Sequence, residues 1–216
     1  MRIAVFTGTR AEYGLLRPVL ERLRDAPDAE LLLLVSGSHL SARHGHTVDE
    51  IRGHGFEPDA EITLDLDDDS PQGVARAAAQ ALAGCAEALA RLKPDRLLIL
   101  GDRYEALACA VAASLCRVPI AHIHGGEVTR GAVDDQFRHA LTKLAALHFT
   151  ACEEYRRRVI QMGERPEAVF NVGSLGVENA LTLSLPGRAE LEAELQFCLG
   201  PEFVLVTFHP VTLDAD

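Results

Sequence analysis

The sequence predicts an α/β protein built on a doubly wound parallel sheet. Three observations carry that expectation. Short apolar runs of strand length alternate with longer stretches of helical periodicity from the first residues onward. The apolar runs are continuous rather than alternating, as in strands covered on both faces. Of the 216 residues, 48% are hydrophobic, which is enough to build a large core.

The elements follow in order. Ile3–Thr7 reads as the first strand, and Tyr13–Arg24 as the helix after it. Glu30–Ser36 is the second strand, followed by a long polar loop and a short helix, Val48–Gly53. Glu61–Leu64 is a weaker third strand. The acidic run Asp65–Ser70 lacks the glycine and terminal glutamate of a calcium loop. It reads as a loop with N-cap acids before the Ala-rich helix Gly73–Leu92, which starts near Pro71. Arg96–Leu100, Ile120–His124, His148–Thr150 and Ala168–Asn171 supply four more strands. Between them lie the helices Tyr104–Arg117, Asp134–Leu144 and Glu153–Met162. Tyr104–Arg117 is nearly all Ala, Leu, Val and Cys and must be buried. With right-handed crossovers this makes a Rossmann-like domain over residues 1–172.

Residues 173–216 read differently. Val172–Val177 is turn-rich, Arg188–Gln196 is a short charged helix, and Phe203–Phe208 reads as a buried strand ahead of His209-Pro210. This segment is expected to be a hinge and the incomplete start of a second domain.

Composition narrows the function classes. The formal charge of −11 argues against general affinity for nucleic acid or anionic membranes. Trp is absent and aromatics are 5%, which provides no stacking platform for bases. No run approaches a membrane span, and Ile3–Phe6 is too short for a signal peptide. The five cysteines form no Cys-x-x-Cys pair. That fits buried, reduced thiols in a cytoplasmic protein and predicts neither disulfides nor a zinc site.

Ligands of open parallel sheets bind beyond the carboxyl ends of the strands, so the residues after each strand are the candidates. After the first strand, Gly8 allows a tight turn, the helix N-terminus offers N–H groups to an anion, and Arg10 could reach a phosphate. The second strand leads into Ser36–His46, a polar loop with three histidines but no standard zinc spacing. Asp102 and Arg103 follow the fourth strand, where Asp102 also suits the helix N-cap. Beyond the fifth strand, His122 and His124 are expected to share one face, and Gly125-Gly126 turns the chain to put Glu127 at the rim. On the next helix Asp135, Arg138, His139 and Thr142 share one side. Phe137, Leu141 and Leu144 are expected to pack on the sheet, and Asp134 with Arg138 suits a surface i,i+4 pair. Carboxylates, histidines and arginines in one cleft suit proton chemistry on a phosphorylated substrate.

The segments Thr9–Tyr13, Gly101–Tyr104, His122–Glu127, Asp134–His139 with Thr142-Lys143, Gly173-Ser174 and Phe208–Thr212 together resemble the hydrolysing UDP-N-acetylglucosamine 2-epimerases. The resemblance runs from residue 1 to about 212. It implies a GT-B architecture, with this chain supplying the N-terminal half and the start of a second Rossmann-like domain. It also implies a cytoplasmic enzyme without cofactor or metal, homo-oligomeric at full length. Its reaction would turn UDP-GlcNAc and water into ManNAc and UDP through a 2-acetamidoglucal, for sialic acid-type sugar synthesis. A UDP-2,4-diacetamido-6-deoxysugar of the legionaminic acid route is the alternative substrate. An inactive nucleotide-sugar-binding fragment is the alternative state.

By matching motif, Arg10 beside Gly14, Arg103 and His209 resemble nucleotide contacts. Asp102, Glu127 and Asp134 resemble the proton-handling acids, with Asp135, Arg138 and His139 supporting them. Several relatives carry glutamate where this chain has His124. Either His124 or Glu127 is therefore expected to act as the acid–base group.

Overall fold

The structure, a computed structural model, describes residues 1–207. Phe208 and His209 lie outside the described residues.

Seven strands form one parallel sheet. They are β1 (Arg2–Thr7), β2 (Glu30–Ser36), β3 (Ala60–Ile62), β4 (Arg96–Leu100), β5 (Ile120–Ile123), β6 (Leu147–Thr150) and β7 (Val169–Asn171). Their order is β3-β2-β1-β4-β5-β6-β7. The seven strands expected within residues 1–172 all form, with β2 and β4 at the boundaries their apolar runs indicate. The chain winds from β1 outward to β3, then returns to place β4 on the other side of β1. That reversal opens a crevice at the carboxyl ends of β1 and β4.

The helices are α1 (Arg10–Asp25), α2 (Val48–Gly53), α3 (Pro71–Leu92), α4 (Tyr104–Leu115), α5 (Asp134–Leu144), α6 (Glu153–Gln161), α7 (Leu175–Thr182) and α8 (Arg188–Leu195). Alternation along each strand divides the core in two. Ala4 and Phe6 of β1 pack with Leu32, Leu34, Leu97 and Ile99 under α3 and α4. Val5 packs with Leu33, Val35 and Leu98 under α1 and α2. The register Ala4↔Leu32 and Val5↔Leu33 keeps each apolar set on its own face. Helix α3 is stopped at its start by Ser70, whose hydroxyl accepts the Gly73 N–H at 3.1 Å, with Pro71 in the first turn.

Three expectations need correction here. Phe203–Thr207 forms no strand and is exposed, with Val204 and Leu205 each at 86%. Apolarity alone predicted a buried strand, but a strand also needs a neighbour to pair with, and none of the described strands pairs with this one. The turn-rich segment after β7 becomes helical at Leu175. Helix α7 docks on α1 through Arg22–Glu178 (3.1 Å) and an Asn179 amide that donates to the Gly14 carbonyl (2.9 Å). Helix α5 buries Arg138, Leu141 and Thr142, while Phe137 is only partly covered and Leu144 is exposed.

All five cysteines are free thiols. Cys85 and Cys109 are buried, whereas Cys116 and Cys198 are exposed. Among the described residues no helix is long and apolar enough to cross a membrane.

Candidate active site

The loop between β1 and α1 is closed by its own acid. Thr9 caps α1 by accepting the Glu12 N–H (3.3 Å), and Glu12 Oε2 accepts the N–H groups of Gly8 (2.8 Å) and Thr9 (3.2 Å). The N–H groups expected to face an anion are therefore partly taken by Glu12. Arg10 extends outward instead, 68% exposed, and pairs with Glu50 at 2.9 Å. Gly14 lies within α1, with no atom near the place a side chain would take.

The loop after β4 turns at Gly101, whose φ is +86°. Its carbonyl accepts from His122 Nε2 at 2.8 Å, so the other ring nitrogen can accept the Thr142 hydroxyl at 3.2 Å. His122 is fully buried and ties the β4 loop to α5. Asp102 does not cap α4. Arg103 holds the cap position, without a side-chain bond, and Asp102 pairs with Arg138 of α5. The surface pair expected between Asp134 and Arg138 is replaced by this buried one. The Arg138 hydrogen bond to Thr129 Oγ1 (3.0 Å) and its approach to Asp135 (3.7 Å) complete the set. Arg103 Nε donates to Glu105 Oε1 at 2.6 Å.

Strand β5 ends at Ile123, one residue short of the expected boundary. His124 stands beyond it in the left-handed region, at φ +65°. The two histidines therefore do not share a face in the way strand alternation predicts. His122 points to Gly101 and Thr142, while His124 Nδ1 lies 3.4 Å from Glu127 Oε1. His139 on α5 lies 3.6 Å from Asp135.

Electrostatics link these groups. Burial pushes the Asp102 carboxyl above its ordinary value, the charges of Asp134 and Glu127 add to that, and Arg138 opposes it. Burial lowers the His124 pKa, with Arg138 acting in the same direction and Glu127 and Asp102 opposing. A cavity of about 340 Å³ opens at the crevice, lined by Thr9, Glu12, Leu15, Asp102, Arg103 and Asp134 among others. Arg10 and Gly14 do not line it. Glu12 and Glu105 are functional candidates that residue reasoning passed over, and although His122 and Thr142 were each singled out, their pairing was not foreseen. The spacing Thr9-x-x-Glu12 carried the capping-box signal. Among the described residues no group of three or more His, Cys, Asp or Glu is arranged to hold a metal ion.

The sheet order, the crevice at its switch point and the acids around it define a doubly wound α/β protein of the ligand-binding kind. Over residues 21–216 the chain matches the UDP-N-acetylglucosamine 2-epimerase family, and it belongs to that family. It is 41% identical to the polysialic acid biosynthesis protein P7 of Escherichia coli, covering 98% of this chain and 54% of that protein. It is 39% identical to the hydrolyzing UDP-N,N'-diacetylbacillosamine 2-epimerase of Legionella pneumophila, covering 100% of this chain and 57% of that protein. The chain thus spans about half the length of these curated relatives. Among solved structures, the S. aureus MnaA–UDP co-structure aligns with a TM-score of 0.76 at 18% identity, over 90% of this chain and 51% of that one. At that identity the likeness speaks for the fold, the Rossmann-like half of a GT-B architecture.

Proposed function

We propose that the full-length protein is a hydrolysing 2-epimerase. It converts UDP-GlcNAc and water to ManNAc and UDP through a 2-acetamidoglucal, in a cytoplasmic route to sialic acid-type sugars. Residues 173–216 are the hinge and the beginning of the nucleotide-binding domain, and the complete protein is a homo-oligomer. The observation that carries the reading is the cluster of Asp102, Asp134 and Arg103 on one cavity, with the His124–Glu127 pair electrostatically linked to Asp102.

The chemistry has two halves. A base removes the C2 proton, the C1–O bond to UDP breaks, and UDP departs with the electron pair. Water then adds to C1 while an acid returns a proton to the opposite face of C2. Asp102 suits one of these proton-handling positions because burial and neighbouring acids raise its pKa above the ordinary carboxylate value. The His124–Glu127 pair suits the other, and Arg103 supplies positive charge for the departing diphosphate. Asp134 orients the sugar, supported by Asp135, Arg138 and His139. Arg10, Gly14 and His209 serve the nucleotide side.

A second reading keeps the chemistry and changes the sugar to a UDP-2,4-diacetamido-6-deoxysugar. It is favoured by the relative at 39% identity, whose name specifies diacetylbacillosamine. Incubating the full-length protein with each nucleotide sugar, with and without chelator, separates the two. UDP with ManNAc supports the first, and release only from the diacetamido sugar supports the second. Loss of turnover with chelator, or no release from either sugar, contradicts the proposal.

A further inference from the structure

Two carboxylic acids behind the cleft have no part in that chemistry. Glu12 of α1 is 7% exposed and Glu105 of α4 is 1% exposed. Both lie against Gly8. The Gly8 N–H donates to Glu12 Oε2 at 2.8 Å, and a Cβ on Gly8 would fall 2.9 Å from Glu105 Cγ. Each acid keeps one buried oxygen with no hydrogen-bond partner, Oε1 of Glu12 and Oε2 of Glu105. Arg103 donates to Glu105 at 2.6 Å and also faces Glu12.

Two mostly buried carboxylates against one guanidinium leave an uncompensated negative charge at the wall of the cavity. One proton on the pair removes the conflict. The surroundings agree. Burial raises the Glu12 carboxyl to about 7, with Glu105 acting in the same direction and the Gly8 N–H, Arg103 and the Thr9 N–H opposing. From the loop after β2, the His39 ring turns to Thr7 and Thr47, and burial lowers it to about 4, so it brings no charge at neutral pH. Of the other charged groups at this edge, Arg10 is engaged with Glu50 and Asp102 with Arg138, while Asp134 lines the same cavity and adds negative charge there. Glu12 itself lines the cavity with Arg103, Asp102 and Asp134.

We propose that Glu12 and Glu105 make the cleft a proton-linked anion site. A nucleoside diphosphate docking against Arg103 draws a proton from solvent onto Glu12 and so meets a neutral acid instead of a second carboxylate. The inference rests on the nucleotide reading of the cleft given above. Glu12 is a positioning residue here, acting through the loop it holds and the charge it sheds.

The test is calorimetric titration of the full-length protein with UDP from pH 6.5 to 8.5, in buffers of different ionisation enthalpy. Above about pH 7.5 the terminal phosphate of UDP is largely ionised, so proton uptake there belongs to the protein. Wild type should take up close to one proton per UDP at pH 8, and its affinity should fall by up to about tenfold between pH 7.5 and 8.5. Glu12→Gln, which keeps an oxygen for the Gly8 and Thr9 N–H groups, should bind with nearly level affinity over that range. Wild-type binding without proton uptake overturns the inference, as does an unchanged pH dependence in Glu12→Gln. Should that variant not fold, carboxyl NMR of Glu105→Gln replaces it. The Glu12 midpoint should drop from near 7 toward the ordinary range, and an unmoved midpoint overturns the pairing. Failure of wild type to bind UDP at any pH defeats the nucleotide reading itself, and this inference with it.

Discussion

Arg138 of α5 holds the carboxylate of Asp102 at the end of β4, bridging 36 residues of sequence with a guanidinium that is almost wholly buried. The pair fixes the acid nearest the switch point and clamps α5 to the β4 loop. Arg138→Leu should destabilise the fold by about 3 kcal/mol, because it strands a half-buried charge. Asp102→Asn in that background should recover part of the loss, because it removes the stranded charge. Urea unfolding of the single and double variants measures both, and a loss below about 0.5 kcal/mol in Arg138→Leu would contradict the clamp.

His124 holds a left-handed backbone conformation that L-residues adopt at a cost. His124→Gly should therefore be more stable than His124→Ala by about 1 kcal/mol, read from thermal unfolding. In the full-length protein, His124→Ala should lower glycal formation far more than UDP binding. Unchanged turnover would remove His124 from the acid–base roles and leave Glu127.

Gly126 has φ +82°, and a Cβ there would fall 2.5 Å from the Tyr155 carbonyl of α6. Neither conformation nor space admits a side chain. Gly126→Ala should cost at least about 2 kcal/mol in chemical denaturation. A neutral result would mean that α6 yields freely beneath the His124–Glu127 turn.

Full burial lowers the His122 ring to about 4, although its bond to the Gly101 carbonyl opposes the shift. In the unfolded chain the ring takes a proton near pH 6.5; in the folded chain it does not until about 4. The unfolded state therefore binds more protons between those values. Stability from this group is full above 6.5, is lost as pH falls toward 4, and is level below that, a total of about 3 kcal/mol. The stability gap between wild type and His122→Gln should narrow over that window. Nitrogen NMR should show a neutral ring with its proton on Nε2 at pH 5.5, and an imidazolium signal there would contradict the buried assignment.

Much of the fold was legible because the signals were local. Apolar runs marked the strands of the sheet, β3 only weakly, and the helix expected to start near Pro71 begins there. The motif residues after β4 and β5 stood out because ligands collect at strand ends. What could not be read depended on distant partners. Asp102 looked like a cap for α4, and only the tertiary fold brings Arg138 to it. The polar side of α5 looked solvent-facing, yet it turns inward because Arg138 and Thr142 find Asp102 and His122 there. Phe203–Thr207 looked buried, since its apolarity says nothing about whether a neighbouring strand is present. Glu12 falls within the Thr9–Tyr13 segment, but its burial near Glu105 depends on the starts of two helices far apart in sequence.

In the proposed reaction the acids at this switch point move the C2 proton of a UDP-linked 2-acetamido sugar. Running the full-length protein in D₂O with UDP-GlcNAc, and separately with the UDP-2,4-diacetamido-6-deoxysugar, tests it by proton NMR. The sugar released with UDP should carry deuterium at C2, with 2-acetamidoglucal accumulating when Asp102→Asn slows the second half more than the first. A released sugar that retains its original C2 hydrogen would contradict it.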